Sequence, residues 1–192
     1  IQGDVPDVDL SSMGYGIVDD LVIEATAPSI DGVGGILGQA GPTSVRPGTF
    51  IPSSGIMQFD SADIADMEAS GRLFDVILHE MGHVLGIGTI WDDLGLVTDL
   101  GTSDPRYTGT EGVTQYNALL GTSLPDIPVA NTGGSGTFGS HWRESDLDTE
   151  LMTGYAEPAG VNMPISTITI GSLADLGYDV DLGAADTYPL QA

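Results

Sequence analysis

Residues 72–88 read RLFDVILHEMGHVLGIG, and this stretch decides the fold. Its apolar residues recur at spacings of three and four, which places them on one face of a helix. They are Leu73, Val76, Ile77, Met81 and Val84. Gly86 follows them, and a glycine there can adopt a left-handed backbone conformation that turns the chain out of the helix. We therefore predict an amphipathic helix over residues 72–85 that packs on a core and stops at Gly86.

The same helix carries two histidines with a glutamate between them. His79 and His83 are four residues apart, so they lie about 40° apart around the helix axis, one turn above the other. Both imidazoles can therefore reach one ion. Glu80 lies about 100° round from His79, which places it beside such an ion and within reach of a water there. Imidazole nitrogens suit zinc, and a catalytic zinc site needs a third protein ligand and an open position.

Few residues are available as that third ligand, because the chain has three histidines and no cysteine. His141 is the remaining histidine and lies in the stretch GSHWRE, residues 139–144. A carboxylate is the alternative, and the candidates are Asp92, Asp93 and Glu111. The absence of cysteine also excludes disulfides, thiolate chemistry and cysteine-based zinc sites.

Composition excludes several classes of partner. The 192 residues carry 28 acidic and 4 basic side chains, for a formal net charge of -24. The arginines, at positions 46, 72, 106 and 143, form no patch for nucleic acid or an anionic membrane. No apolar run approaches the roughly 18 residues of a membrane span, and the first residues lack the basic segment of a signal peptide. We interpret the acidic surface as solubilising, with high salt and calcium binding as alternatives.

The remaining patterns predict an α+β architecture. Residues 15–27 and Ile56–Phe59 have the composition of strands. Further helices are predicted at 61–71, where Ser61 is the expected N-cap, at 112–120 and at 171–177. We expect one domain over residues 1–192. Its N-terminal lobe, about 1–88, holds a mixed sheet and the helix at 72–85, and its C-terminal lobe, about 89–192, is irregular and includes a terminal helix.

The order of these residues resembles a known family. The pattern His79-Glu80-x-x-His83-x-x-Gly86 is the opening of the metzincin zinc-endopeptidase signature. In most of that clan the third histidine follows three residues after the glycine, whereas position 89 here is Thr. A distant histidine, here His141, followed by a methionine-containing turn, here at Met152, resembles the leishmanolysin family. That family carries an insertion between the glycine and the third ligand.

The resemblance implies a metzincin-like two-lobed catalytic domain with its site in the cleft between the lobes. It implies a zinc endopeptidase that acts on protein or peptide substrates and is secreted or lies at the cell surface. The implied roles are zinc ligand for His79, His83 and His141, general base and acid for Glu80, helix exit for Gly86, and Met-turn residue for Met152. The chain departs from the well-known, disulfide-rich members in having no cysteine.

Some alternatives stay open from the sequence. A non-catalytic acidic surface or binding module with a structural zinc is the second functional hypothesis, although a purely structural site has no need of a base such as Glu80. Structural calcium is a further hypothesis, suggested by the pairs Asp7/Asp9 and Asp179/Asp181, although no 12-residue calcium loop is present. Two alternatives also stay open for the strand Ile56–Phe59: a sheet edge that pairs with an extended peptide, or an interior strand without substrate contact. Substrate preference and oligomeric state are not predictable from these patterns.

Overall fold

The structure, a computed structural model, describes residues 1–189, and within them strands and helices are mixed along the chain. The strands are β1 (Val8–Asp9), β2 (Ile17–Val18), β3 (Val22–Thr26), β4 (Gly38–Val45), β5 (Pro52–Phe59), β6 (Val97–Thr98), β7 (Arg106–Tyr107) and β8 (Ile127–Pro128). The helices are α1 (Ile64–Ser70), α2 (Leu73–Val84), α3 (Thr110–Leu120), α4 (Glu144–Leu147) and α5 (Thr167–Asp175). The predicted α+β class is confirmed. None of these helices combines the length and the apolar character that crossing a bilayer requires.

A three-stranded sheet in the order β3-β5-β4 lies in the first third of the chain. β3 runs parallel to β5, with Val22 opposite Ser54. β4 runs antiparallel to β5, with Gly38 opposite Phe59. β5 is therefore the central strand, and within residues 1–189 no strand pairs with the outer side of β4. The peptide groups on that side of β4 are left available for another chain.

Of the two alternatives for Ile56–Phe59, the one that places it at a sheet edge is wrong. These residues are the last part of β5, which is paired on one side with β3 and on the other with β4. Alternating side chains show which faces of a strand are buried, but they carry no information on whether its backbone edges are paired. The edge of this sheet is β4, whose sequence GQAGPTSV is too rich in small residues to predict a strand.

Helix α2 packs on this sheet against β4 and β5. Val76 and Val84, from the predicted apolar face, are buried together with Met57 of β5 and Met67 of α1. Burying each such side chain is worth about 1.5–3 kcal/mol. A Cβ atom on Gly55 would lie 2.5 Å from the side chain of Val84. The helix can therefore pack this closely on β5 only because residue 55 is a glycine. The sheet therefore holds α2 in a fixed position.

A larger core lies beyond α2 and is built around three aromatic rings. Trp91, Tyr107 and Trp142 are fully buried, with ring centroids 4.7, 4.9 and 5.1 Å apart. The indole N–H of Trp142 donates to the Thr169 hydroxyl of α5 at 2.8 Å, so this buried donor is satisfied. Helices α3 and α5 pack together beside the rings. This core joins the chain after α2 to the segment that contains His141.

The helices differ from their predictions mainly at their starts. Ser61 is not the N-cap of α1, because the residue directly before the helix is Asp63. The backbone N–H of Ser61 donates to Pro28 O. The last helix, α5, begins four residues earlier than its glycine-bounded pattern suggests. Ser166 caps it there by accepting a hydrogen bond from the Thr169 N–H.

Candidate active site

Three histidine side chains converge at the surface of α2. The helix places His79 and His83 one turn apart, and their Nε2 atoms are 3.0 Å apart. His141 comes from the loop before α4, and its Nε2 lies 2.9 Å from that of His83 and 3.1 Å from that of His79. Within residues 1–189 these three side chains form a group that could hold a metal ion.

Each imidazole is oriented through its other nitrogen. The Nδ1 atoms face backbone carbonyl oxygens: Leu151 O at 2.7 Å for His79, Ile87 O at 2.8 Å for His83, and Thr137 O at 3.2 Å for His141. The Nδ1 of His141 also lies 3.0 Å from Ser140 Oγ, whose own O–H donates to Gly136 O at 2.9 Å. Because a carbonyl oxygen only accepts, each Nδ1 carries the hydrogen and each neutral ring presents an Nε2 lone pair. Three lone pairs brought within 3.1 Å repel one another unless a cation lies between them. The donor set therefore fits a metal ion, with carbonyl partners orienting the ligands as metal-binding histidines require.

Burial keeps these rings uncharged. Removal from water lowers the pKa of His79, lowers that of His83 to about 3, and lowers that of His141 well below its ordinary value. The neighbouring histidines lower the pKa of His83 and His141 further. Neutral imidazole is the form that coordinates a metal, so the site is in its binding-competent form at neutral pH.

Glu80 lies in the same cleft and is only 4% exposed. Burial raises the pKa of its carboxyl to about 8. Its Oε2 atom has no hydrogen-bond partner in the protein. On the other side of the carboxyl, a Cβ atom on Gly38 of β4 would lie 2.6 Å from Oε1, so strand β4 presses directly against Glu80. One oxygen of this buried carboxyl is therefore left without a partner in the protein, and the other lies against Gly38.

Two glycines after α2 direct the chain towards His141. Gly86 has a φ of 110°, and the helix ends at Val84. Gly88 has a φ of 72°, and a Cβ atom there would lie 1.8 Å from the carbonyl oxygen of Ser140. The chain leaving the helix therefore passes directly beside the residue before His141, at a distance that only glycine allows.

Met152 lies against the same helix. It is fully buried, and a Cβ atom on Gly82 would lie 2.6 Å from its sulfur. Its carbonyl oxygen accepts a hydrogen bond from the Trp142 N–H at 3.0 Å. The turn at 150–152 therefore touches α2 between the two helical histidines and also touches the residue after His141.

The three histidines and Glu80 line a cleft of about 690 Å³. One wall is the loop and strand 34–40, which includes the start of the free edge of β4. The opposite wall comes from the loop at 135–141, from 153–156 and from Met163. The cleft also contains Arg72 near the start of α2.

The alternative third ligands do not reach the histidines. Asp92 and Asp93 are exposed, and Glu111 starts α3, where its N–H donates to Asp175. Within residues 1–189 the metal-compatible group that contains the two helical histidines is completed by His141.

The calcium hypothesis gains no support at the predicted pairs. Two acidic groups bring three carboxylates close together, Asp4/Asp19/Asp20 and Glu144/Asp148/Glu157, and neither contains a member of those pairs. Asp9 and Asp181 instead accept nearby backbone N–H groups, from Ser11 and Gly183.

Several residues of the site escape sequence reasoning. The carbonyl groups of Leu151, Ile87 and Thr137 act through the backbone, which leaves no signal in residue type. The wall formed by β4 was missed because its glycines resemble a turn.

Comparison with known families agrees with this geometry. The sequence profile of the leishmanolysin peptidase family matches residues 3–191, nearly the whole chain. The chain therefore belongs to the leishmanolysin family. The family consists of zinc metallopeptidases, and His79, His83 and His141 are close enough to bind a metal. A search of curated proteins finds no match to this chain.

Proposed function

We propose that this chain is a zinc endopeptidase that hydrolyses internal peptide bonds of protein or peptide substrates, with Glu80 as general base and then general acid. One observation carries the proposal: three unprotonated Nε2 atoms converge within 3.1 Å in a cleft that also holds the buried Glu80. The finding that the chain belongs to a family of zinc metallopeptidases supports it.

His79, His83 and His141 are the residues that would hold the metal. Zinc, when bound, supplies a Lewis acid that polarises the scissile carbonyl and makes a neighbouring water more acidic. Glu80 accepts a proton from the attacking water at its free Oε2 and returns it to the nitrogen of the leaving amine. Its burial favours this return, since a raised pKa makes the protonated carboxyl a stable carrier. A cation held by the three histidines would lower the pKa of Glu80 again and so favour the carboxylate form that accepts the proton.

Strand β4 is the element that we expect to bind the substrate backbone. Its outer side is unpaired within residues 1–189, and residues 38–40 line the cleft. An extended peptide that pairs with this edge runs past Glu80, because Gly38 lies directly against that carboxyl. Pairing through the backbone is tolerant of side-chain identity and is open at both ends, which suits cleavage inside a chain.

The whole chain, residues 1–192, is proposed to be one catalytic domain of metzincin type. Its N-terminal lobe, about 1–88, would supply the sheet and α2, and its C-terminal lobe, about 89–192, would supply His141 and the cleft wall. We assign Met152 as the Met-turn residue, because its buried sulfur packs on α2 at Gly82. We also propose an extracellular or cell-surface location, supported by the family and by the acidic composition.

A purely structural zinc site is the weaker alternative. It explains the three histidines but leaves Glu80 without a role. A buried carboxylate oxygen without a partner costs free energy, about 1–3 kcal/mol or more, which a structural site has no reason to retain.

The test compares the purified chain with its Glu80→Ala variant at matched zinc content on a denatured protein substrate. We expect internal fragments, identified by mass spectrometry, from the wild type alone. Glu80→Ala should keep its zinc, because the residue is not a ligand. Fragments at equal rates from both proteins would contradict the role of Glu80. Zinc in both proteins with fragments from neither would instead favour the structural site.

A further inference from the structure

Glu150 is a fully buried carboxylate that the proposed hydrolysis does not use. It accepts four hydrogen bonds. Its Oε2 accepts from the Met152 N–H at 2.6 Å, and its Oε1 accepts from the Ser166 N–H at 3.0 Å and from the Ser166 and Thr169 hydroxyls, both at 2.6 Å. Burial raises the pKa of this carboxyl, and the four donors act in the opposite direction. Both oxygens are committed to backbone N–H groups, which can only donate.

The hydrogen bonds to Glu150, together with one that continues from Thr169 to Trp142, link three segments of the chain. Met152 belongs to the turn at 150–152, and Ser166 and Thr169 belong to the start of α5. The Thr169 hydroxyl donates to Glu150 and accepts from the Trp142 indole N–H at 2.8 Å, so the network extends to the residue after His141. The hydroxyl therefore donates its one hydrogen to Glu150 and uses one of its lone pairs for Trp142.

Two of the three histidines are oriented by those same segments. The carbonyl oxygen of Leu151, between Glu150 and Met152, accepts from His79 Nδ1 at 2.7 Å. Trp142 follows His141 directly, and the backbone N–H of Trp142 donates to Met152 O. A displacement of the 150–152 turn therefore changes the partner of one imidazole and the backbone that carries another.

We propose that Glu150 is a positioning residue of the metal site, which fixes the orientation of His79 and His141 through the turn at 150–152 and through Trp142. The inference rests on the proposed zinc peptidase function. The Glu150 carboxylate touches no histidine, but it holds the residues that orient the metal-binding histidines. Mutation of such supporting residues typically lowers metal affinity or activity by about 10–100-fold.

The isosteric variant Glu150→Gln tests the role sharply. A glutamine has one amide NH₂ group, and it must oppose either the Met152 N–H or the Ser166 N–H, whichever way the amide is turned. We expect zinc affinity, measured by competition with a chelating dye, to fall at least about tenfold. The absorption spectrum of the cobalt-substituted protein should shift, and kcat should fall by a similar factor while KM stays within about twofold, since the residues that donate to Glu150 do not themselves line the cleft.

Asp175→Asn is the matched control. Asp175 also lies on α5, and its two oxygens accept from the Glu111 and Gly112 N–H groups at 2.8 Å, so asparagine meets the same conflict. It has no hydrogen bond to the histidines or to the 150–152 turn. We expect this variant to lose thermal stability but to keep the zinc affinity and cobalt spectrum of the wild type. An equal zinc loss in both variants would show a general structural effect and overturn the proposal.

Thr169→Val gives a second measurement if Glu150→Gln does not fold. It keeps the carboxylate and its two backbone N–H donors, and it removes the hydroxyl that donates to Glu150 Oε1 and accepts from the Trp142 indole, so we expect a smaller cobalt shift in the same direction. Wild-type zinc affinity and cobalt spectrum in either folded variant would overturn the positioning role and leave the proposed function intact. A wild-type chain that binds no zinc would overturn the proposed function, and this inference with it.

Discussion

Strand β4 approaches the carboxyl of Glu80, the proposed general base, so closely that a single added methyl group tests the arrangement. The change is Gly38→Ala. An added Cβ atom would lie 2.6 Å from Glu80 Oε1 and 2.9 Å from Cδ, about 1 Å inside an ordinary contact. The backbone of Gly38 is not in the left-handed region, so alanine is compatible with the strand. The glutamate, at the end of a flexible side chain, is therefore the group that must move.

A displacement of about 1 Å at a reacting group can cost 10²-fold in rate. We expect Gly38→Ala to lower kcat about 100-fold, equivalent to about 2.7 kcal/mol of transition-state stabilisation. Zinc content should be unchanged, and thermal stability should be unchanged or slightly raised, since alanine replaces glycine in a compatible conformation. The assay is steady-state hydrolysis of a quenched fluorescent peptide, with zinc content and Tm measured on the same samples.

Gly41→Ala on the same strand is the control. Its Cβ atom would meet only Thr89, at 3.6 Å, which is an ordinary contact. This variant should keep nearly the wild-type kcat. Wild-type kcat in Gly38→Ala, or equal losses in the two variants, would refute the claim that β4 holds Glu80 in its working position.

Three further predictions follow from other contacts. His141→Ala should lower zinc affinity by more than about 100-fold in a chelator competition, since it removes a direct ligand. Gly88→Ala should lower Tm by roughly 6–12 °C, or about 3 kcal/mol, because its φ is 72° and its Cβ meets Ser140 O. Asp60 accepts N–H groups led by that of Ala62, which lower its pKa to about 2, so its stabilisation is present above about pH 4 and is lost as the pH falls through 2. In urea titrations from pH 5 to pH 2, the stability advantage of wild type over Asp60→Asn should shrink with falling pH, and a constant advantage would contradict this.

The helix and the pair of histidines were predictable because they depend on local spacing. A period of 3.6 residues places His79 and His83 one turn apart on the helix and groups Val76 with the apolar residues of its buried face, and this follows from sequence spacing alone. His141 was one of several candidates for the third ligand, and only the resemblance to a family favoured it over a carboxylate, since 56 residues separate it from the end of α2 at Val84. Its approach depends on the tight passage of Gly88 past Ser140, which is a tertiary contact.

Backbone geometry accounts for most of what the sequence did not reveal. The sequence left open whether Ile56–Phe59 lies at a sheet edge, because strand order depends on pairings between distant segments. One wall of the cleft is formed by β4, and backbone carbonyl groups orient the histidines, and neither of these features has a distinctive residue pattern. The role of Glu150 was not predictable either, because the sequence does not show that this acid is buried or which groups donate hydrogen bonds to it.

X-ray absorption at the zinc edge of the loaded protein tests most directly whether His79, His83 and His141 bind the metal. We expect one zinc per chain with scattering from three imidazole rings, falling to two in His141→Ala. Three rings in the wild type and two in the variant would establish His79, His83 and His141 as the ligand set. Two or fewer rings in the wild type, or an unchanged number in His141→Ala, would contradict the account.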